Sequence, residues 1–338
     1  MPLAAAAARV RAGEELSAAE TRELFGRALR PGCDEQALAE LLLALAERGE
    51  RPAEIAGAAA ALRAAMPPFD HGCPEAVDTC GTGGDGLASF NLSTAAALVA
   101  AAAGARVVKH GNRSVSSKCG SADLLEAAGV RLELDPAAAR RVFERCGIVF
   151  LFAPAFHPAM RFAAPVRRRL GVRTIFNFLG PLCNPGSVRR HLLGVSAPER
   201  LDDLAGALDE LGFERAYVVH GAGGADELTL AGANRIRRVG SAPALPADAV
   251  DLGLPRAGTE ALAGGDAAVN LRLLRDLLEG EDGPLRAALL YNAAAALLAA
   301  GVEEEAAAAL ERAAAAVDSG DARRLLERWA AASAEESG

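Results

Sequence analysis

The sequence predicts an α/β fold, in which a small all-helical lobe at residues 1–68 precedes a large α/β domain at residues 69–338. The large domain is expected to hold a mostly parallel central sheet flanked by helices. Three observations predict this fold. The first 66 residues show only helical periodicity, a strand–loop–helix–strand texture begins at Ala76, and a helix-then-strand texture returns at 200–219. With 51% hydrophobic and 24% charged residues, the chain is not of the disordered class.

The N-terminal lobe is predicted from short apolar periodic segments. Breaks at Pro31-Gly32 and Gly49 separate them, and the Met66-Pro67-Pro68 junction closes the lobe. A mid-chain helical segment near 158–182 is expected to join it. The predicted helices of the lobe are Glu20–Ala28, Glu35–Glu47 and Pro52–Met66.

The large domain is predicted from a βαβ unit and its continuation. A strand from Ala76 is followed by a glycine-rich turn, an alanine-rich helix that starts at Asn91–Thr94 and ends at Gly104, and a strand at 106–108. The later elements expected are a helix at Arg200–Leu211, a strand at Ala216–Val219, and closing helices at Leu285–Ala300 and Glu303–Val317.

The net charge and the cysteine pattern limit the classes of function that are possible. A net charge of −8 without a long basic run argues against a nucleic-acid partner or an anionic membrane surface. No apolar stretch reaches membrane-spanning length. The six cysteines form no C-x-x-C pair, so neither a disulfide framework nor a thiolate metal site is indicated, and a reducing cytoplasm is the expected location.

The first motif is the glycine-dense turn Gly81-Thr82-Gly83-Gly84-Asp85-Gly86. It satisfies G-x-G-x-x-G, but a dinucleotide fold needs an acidic residue about 20 positions later, where this chain has Arg106 and Lys109. No Gly-Lys-Ser/Thr follows either. What remains is an anion-binding nest, with Asn91, Ser93 and Thr94 at the start of the next helix. A tight turn followed by an ordinary helix cap is the alternative.

The second motif is the polar loop after the next strand, Lys109 to Ser121. It carries two Lys, one Arg, one His, one Asn and four Ser, which are donors suited to phosphate oxygens. Lys109 and Lys118 are the only lysines of the chain, whose other basic residues are arginines. This pattern indicates that the loop requires compact point charges at these two positions, and it argues against a polar loop that is only solvated.

Two further groups complete the candidate site. Asp226-Glu227, just after the strand at 216–219, suits a hard cation such as Mg²⁺ that bridges to phosphates, although charge-paired surface acids are the alternative. The arginine-rich stretch Arg161–Asn177 could clamp a substrate carboxylate. His71, His191 and His220 are expected to be structural, and no nucleophile motif is present.

Together the motifs resemble the anthranilate phosphoribosyltransferases of tryptophan biosynthesis. The resemblance rests on Asp78–Thr94, Lys109–Gly129, Phe156–Pro185 and His220–Leu228, in this order and spacing. It implies a pentosyltransferase that moves the phosphoribosyl group of phosphoribosyl pyrophosphate (PRPP) to the amine of anthranilate, releasing pyrophosphate. It also implies two Mg²⁺ ions and a homodimer formed through the helical lobe, whose leucines at 38–45 suggest apolar surface to cover.

The resemblance also implies site residues. Lys109, His110, Asn112 and Arg167 would be catalytic, with Asn112 and Arg167 facing anthranilate, while Ser93, Asp226 and Glu227 would hold the metal ions. Ser89 stands where Thr is usual and Cys119 where Ser is common. The residues that would hold PRPP are Gly81, Gly84, Asp85, Ser89, Asn91, Leu92, Ser93, Thr94, Lys109, His110, Gly111, Asn112, Arg113, Ser114, Val115, Ser116, Ser117 and Ser121.

Other functions stay open at this point. The pyrimidine nucleoside phosphorylases are similar in fold and carry a related Lys-His-Gly-Asn-Arg loop, but the stretch from Arg167 to Pro185 and the Asp226-Glu227 pair favour the transferase. A nicotinamide-dependent oxidoreductase would rest on Gly81–Gly86 alone. A non-catalytic relative that binds PRPP or nucleic acid is the third alternative.

Overall fold

The computed structural model describes residues 1–114 and 118–337. Over these ranges the chain forms helices, six strands and three short 3₁₀ turns. The strands are β1 Val77–Gly81, β2 Val107–Gly111, β3 Ile148–Phe152, β4 Arg190–Gly194, β5 Arg215–His220 and β6 Arg235–Gly240. The helices are α1 Leu3–Arg11, α2 Ala18–Ala28, α3 Glu35–Arg48, α4 Pro52–Ala64, α5 Leu92–Ala102, α6 Ser121–Ala127, α7 Pro136–Cys146, α8 Ala153–Phe156, α9 Met160–Leu170, α10 Phe176–Leu182, α11 Leu201–Glu210, α12 Ala267–Leu278, α13 Pro284–Ala300, α14 Ala306–Asp318 and α15 Asp321–Glu335.

The six strands form one sheet in the order β3-β2-β1-β4-β5-β6. All neighbouring strands are parallel except β5 and β6, which are antiparallel. In register, Val77 of β1 lies opposite Val107 of β2 and Arg190 of β4. The predicted mostly parallel central sheet is therefore confirmed, and the carboxyl ends of β1 to β5 lie along one edge of it.

The helical lobe begins its helices with side-chain caps. Ser17 accepts a hydrogen bond from the Glu20 amide at 3.2 Å, and the Ser17 amide donates to the Glu20 carboxylate at 2.9 Å, which starts α2. Asp34 caps α3 through its side chain, and Gly49, at φ 90°, ends it. The core of the lobe is shared with α9, α10 and α11, whose apolar residues pack with those of α2 to α4 in one cluster.

The opposite face of the sheet is covered by an alanine-rich layer. In α13 every residue from Ala287 to Ala300 is buried, against α5, α14 and the strands. Because alanine is small, helices built from it approach each other and the sheet closely, and a dense core forms from few aromatic side chains. The βαβ unit and the two closing helices are confirmed here.

Several elements were not predicted, namely α1, α6, α7, α8, α12, α15, β3, β4 and β6. Helix α1 begins in the apolar run at Leu3 and packs Ala6, Ala7 and Val10 into the lobe. The leucines at 38, 41, 42 and 45 are fully buried within a single chain, so most of the apolar surface that motivated the predicted dimer is covered without a partner, whereas Leu43 is only half-buried. None of the helices in the described ranges is long and apolar enough to cross a membrane.

Candidate active site

The candidate site lies where β1, β2 and β5 end. The turn after β5 carries Asp226 and lies against the ends of β1 and β4, where glycine is required: a Cβ on Gly81 or Gly194 would overlap Asp226. At the end of β2, a Cβ on Gly111 would overlap the Ser121 hydroxyl. Loops distant in sequence are thereby brought within hydrogen-bond reach of one another.

The glycine-rich turn after β1 has the backbone of an anion nest. Gly83, Gly84 and Gly86 have φ of 68°, 78° and 77°, which only glycine adopts without strain. The amide of Gly83 donates to Asp226 Oδ2 at 2.7 Å, so the turn is fixed to the acidic pair. Asp85 Oδ1 accepts from the Leu87 amide at 3.1 Å, while its Oδ2 is buried without a hydrogen-bond partner among the described residues.

The predicted metal ligands come together. Glu227 Oε1 accepts from the amide of Ser93 at 3.1 Å, at the N-terminus of α5, which places Ser93 beside the acidic pair. Burial, together with repulsion from Asp85, raises the pKa of Asp226 above its usual value, and burial with repulsion from Asp226 does the same for Glu227. Three crowded carboxylates with an unpartnered buried oxygen on Asp85 form an oxygen-rich set that fits a hard cation such as Mg²⁺.

The predicted PRPP-binding residues around the start of α5 have different environments. Asn91 donates to the Cys119 carbonyl at 3.0 Å, joining the glycine side of the site to the loop after β2. Ser89 forms an isolated antiparallel bridge with Ala263. Leu92 and Thr94 are buried, and the side chain of Leu92 is part of the core, so it presents no side-chain atom to a ligand.

Lys109 is buried rather than extended into a solvent-facing loop. Its ammonium donates to the carbonyl of Thr79 and lies 3.4 Å from the Thr79 hydroxyl. Burial raises the pKa of Asp78 and of Glu227, and the positive charge of Lys109 opposes that rise at both, so Lys109 stands between two buried carboxylates. The other lysine, Lys118, is exposed.

His110 is buried and bonded at both ring nitrogens. Nδ1 lies 3.2 Å from the Gly180 carbonyl, and Nε2 lies 3.1 Å from Nε2 of His157. A carbonyl only accepts, so Nδ1 of His110 carries the proton and its Nε2 accepts from His157. Burial lowers the pKa of His110 to about 3 and that of His157 to about 4.

Other residues of the loop after β2 bond to side chains of α6. Arg113 pairs with Glu126 and Asp123, and the Ser114 amide donates to Asp123 at 3.1 Å. Asn112 is exposed, and its carbonyl accepts from the Ser121 hydroxyl at 3.2 Å. The predicted residues Val115, Ser116 and Ser117 lie outside the described residues.

Two arginines of the mid-chain segment, Arg167 and Arg173, differ in their contacts with the candidate site. Arg167 is half-buried on α9, its guanidinium is 5.3 Å from the centre of the Phe176 ring, and burial lowers its pKa. Within the described ranges, no hydrogen bond or ion pair joins Arg167 to the loops above. Arg173, another arginine of the stretch predicted as a carboxylate clamp, approaches the glycine-rich turn: a Cβ on Gly84 would lie 3.1 Å from its Nη1.

A second polar group beneath the site was not predicted. Asp78 accepts from the Thr79 amide at 2.7 Å, the His110 amide at 3.2 Å and the Asn184 side chain at 2.8 Å, and burial raises its pKa to about 6. Cys80 and His191 lie beside it, 3.5 Å apart. Because the Asp78 oxygens already have three donors, these three residues have the character of a buried hydrogen-bond network and not of a metal site. The one signal for this network in the sequence was Asp78, a charged residue inside the buried strand β1.

Comparison with known proteins covers both parts of the chain. The glycosyl transferase family matches it twice, with the helical bundle domain at residues 5–66 and the a/b domain at residues 73–323. Anthranilate phosphoribosyltransferase from Chloroflexus aggregans is 48% identical over 341 residues, which cover 100% of both chains. The crystal structure of anthranilate phosphoribosyltransferase from Thermus thermophilus is 47% identical, with a TM-score of 0.92 over 97% of this chain and 99% of that one.

A more distant solved structure shares the fold. The anthranilate phosphoribosyltransferase from Saccharomyces cerevisiae in complex with PRPP and Mg is 24% identical, with a TM-score of 0.87 over 98% of each chain.

Proposed function

The chain belongs to the glycosyl transferase family that contains the anthranilate phosphoribosyltransferases, and we propose that it transfers the phosphoribosyl group of PRPP to the amine of anthranilate. The products are N-(5-phosphoribosyl)anthranilate and pyrophosphate. One observation carries the proposal beyond the family: Asp226 and Glu227 lie against the glycine-rich turn and the α5 N-terminus, through Gly83 at 2.7 Å and Ser93 at 3.1 Å. An acidic pair held against backbone amides at strand ends is suited to a metal-bound polyphosphate.

PRPP would lie between the glycine-rich turn and the loop after β2. The backbone amides of the turn and of the α5 N-terminus supply donors for phosphate oxygens. Buried Lys109 adds positive charge beneath the site, where the low dielectric strengthens its effect on developing negative charge. Arg113 would have to exchange its present carboxylate partners for phosphate to act as a PRPP ligand.

The reaction needs Mg²⁺, for which the residues Ser93, Asp226 and Glu227 fit, and we propose two ions. The metal supplies positive charge that stabilises pyrophosphate as it leaves. The raised pKa values of Asp226 and Glu227 are those of carboxylates crowded together in a buried place, which a divalent cation would relieve.

The chemistry is a displacement at C1 of the ribose. The bond from C1 to the pyrophosphate oxygen breaks, the amine nitrogen bonds to C1, and one amine proton is released. A weakly nucleophilic amine requires close placement and charge stabilisation more than a covalent protein nucleophile. We assign Arg167 to the anthranilate carboxylate and Asn112 to its orientation. His110 is neutral and is bonded at both ring nitrogens, so we assign it a structural role in the site and not that of a base.

Loss of anthranilate fluorescence that requires both PRPP and Mg²⁺ tests the proposed function. The same preparation should release no thymine or uracil from nucleosides with inorganic phosphate. Nucleoside cleavage without anthranilate consumption would instead establish the phosphorylase reaction. We further propose a cytoplasmic location, supported by six cysteines that form no C-x-x-C pair in the sequence, and a homodimer, supported only by the family resemblance.

A further inference from the structure

Asn270, on the first turns of α12, is fully buried and directs its side-chain amide toward the candidate site. Its Nδ2 donates to Asn91 Oδ1 at 2.8 Å, and its Oδ1 accepts from the Gly265 amide at 2.7 Å. Asn91 in turn donates to the Cys119 carbonyl at 3.0 Å. The chain of bonds therefore runs from Gly265 through two asparagines to Cys119.

This chain of bonds has a fixed direction. The amide of Gly265 can only donate and the carbonyl of Cys119 can only accept, so each asparagine has one orientation that satisfies both of its neighbours. Asn91 precedes α5 and its predicted metal ligand Ser93, whereas Cys119 follows the loop that begins at Lys109. Asn91 thus joins the two loops predicted to bind PRPP, and Asn270 orients Asn91.

Backbone contacts reinforce the same junction. The Phe90 amide donates to the Leu262 carbonyl at 2.7 Å, and the Gly264 amide donates to the Ala88 carbonyl at 3.1 Å. A Cβ on Gly264 would lie 2.6 Å from the Phe90 nitrogen and 2.8 Å from Asn270 Oδ1, so only glycine allows this approach. Ala88 has a φ of 49°, a strained value for a residue with a side chain, and is held there by this pairing.

Anchoring α12 does not require an asparagine at this position. Leu274, Leu277 and Leu278 already bury the helix in the core. A buried amide is costly unless every polar atom is bonded, and an apolar side chain would pack here without that requirement. The side-chain amide of Asn270 instead donates to Asn91, which links the two loops, while its oxygen accepts from the Gly265 amide just before α12.

We propose that Asn270 is a positioning residue for PRPP, which acts through Asn91 to set the spacing of the two phosphate-binding loops. The proposal rests on the proposed function. After these bonds are made, Asn91 keeps one amide hydrogen and part of its oxygen for a ligand, and both point where Asn270 fixes them.

Steady-state kinetics of Asn270→Ala and Asn270→Asp test the proposal. The KM for PRPP should rise about tenfold, the effect of losing one well-placed hydrogen bond, while kcat and the KM for anthranilate stay within about twofold. In Asn270→Asp the acceptor for Gly265 is kept but the donor is lost. Asn91 must then turn its amide, which brings its oxygen against the Cys119 carbonyl and breaks the link between the loops.

A double-variant cycle separates positioning from general destabilisation. If Asn270 acts through Asn91, adding Asn270→Ala to Asn91→Ala should raise the KM for PRPP no further than Asn91→Ala alone. Ser333→Ala is the matched control, since it also removes a buried hydrogen bond, to the Arg131 amide, but on α15. It should lower the melting temperature and leave both KM values unchanged.

Additive effects of the two asparagine variants, or an unchanged KM for PRPP in both Asn270 variants, would overturn the proposal. For a variant too unstable for kinetics, the rise in melting temperature on adding PRPP with Mg²⁺ gives the affinity instead, and it should be smaller than in wild type at equal ligand. Failure of the proposed function is distinct, because the wild-type chain would then consume no anthranilate.

Discussion

Nε2 of His110 and Nε2 of His157 lie 3.1 Å apart, in a pair that requires the His110 ring to be neutral. A second proton on His110 would occupy Nε2 and leave two donors facing each other, because His110 Nδ1 already donates to the Gly180 carbonyl and His157 Nε2 donates to His110. A second proton on His157 would occupy its Nδ1, which is buried without a hydrogen-bond partner among the described residues. The pair joins the end of β2 to the turn that follows α8, where the sheet meets the mid-chain helices. A neutral His110 is therefore a condition for this part of the site to keep its shape.

Acidification should destabilise the chain through this pair, and His157→Gln should reduce the effect. Burial lowers the pKa of His157 to about 4, whereas the unfolded side chain titrates near 6.5. Between these values the unfolded state binds more protons, so the free energy of unfolding falls as the pH falls from about 6.5 toward 4. Glutamine does not titrate and can still donate to His110.

Urea unfolding at several pH values between 7 and 4 measures this. The free energy of unfolding, plotted against pH, should have a steeper slope for wild type than for His157→Gln. The difference should reach up to about 1.4 kcal/mol per pH unit, the value for one proton. Ser333→Ala, which removes no titrating group, should shift the curve down in parallel. Equal slopes for wild type and His157→Gln would contradict the assignment of a neutral, buried ring.

The sequence predicted those elements of the fold whose pattern is local. The unit from Ala76 to Val108 combines a glycine-rich turn, an alanine-rich helix and a short apolar run, each recognisable by itself. Strand β3, Ile148–Phe152, is a five-residue apolar run buried throughout, and such a run has no periodicity that separates strand from buried helix. The exposed edge strand β6 is rich in arginine, a composition more typical of a loop.

The candidate site was predictable where a motif marks it and not where tertiary contacts create it. Gly83 and Asp226 each lie in a recognisable pattern, and they meet as expected. The bond between Asn91 and Asn270 joins residues 179 positions apart, and no local pattern predicts it. Lys109 was expected in a polar loop, but it is the third residue of buried β2, so its ammonium turns to the Thr79 carbonyl.

Removal of either acidic residue should raise the Mg²⁺ requirement. Asp226→Asn and Glu227→Gln keep the side-chain shape and the contacts to Gly83 and Ser93 but remove a negative charge. We expect kcat/KM to fall on the order of 10²-fold, the scale for one electrostatic stabiliser, and the Mg²⁺ concentration for half-maximal rate to rise. Asp202→Asn, an exposed acid paired with Arg237, is the control and should behave as wild type. An unchanged Mg²⁺ dependence in both site variants would exclude a metal role.

Arg167→Ala should weaken anthranilate binding selectively. A guanidinium can hold a carboxylate with two parallel hydrogen bonds, and loss of a bond to a charged group costs roughly 1.5–3 kcal/mol. The KM for anthranilate should rise accordingly, with the KM for PRPP unchanged. Arg168→Ala, the neighbour on α9, is the control and should leave both values as they are. An equal rise in both KM values for Arg167→Ala would place it in the phosphate site instead.

The homodimer is tested by light scattering of the purified chain at micromolar concentration. A mass of twice 34.6 kDa is expected if two helical lobes pair. Because Leu38, Leu41, Leu42 and Leu45 are buried within one chain, pairing would have to use other residues of the lobe, among which half-buried Leu43 lies on the same helix. A monomeric mass at that concentration would reject the prediction.

The helical lobe should depend for its stability on one buried carboxylate, Glu54. It accepts from the Leu16 amide at 3.0 Å and the Arg51 amide at 2.9 Å, and it pairs with Arg48, so it ties α3 and α4 to the loop before α2. Removal of one partner from a buried ion pair leaves the other partner uncompensated and costs about 3–5 kcal/mol. Glu54→Ala should therefore strongly lower the urea concentration at the midpoint of unfolding.

Glu144→Ala, which breaks an exposed pair with Arg140 on α7, is the control. Its midpoint should stay close to that of wild type because water screens that pair. Equal midpoints for the two variants would show that Glu54 contributes no more than a surface charge.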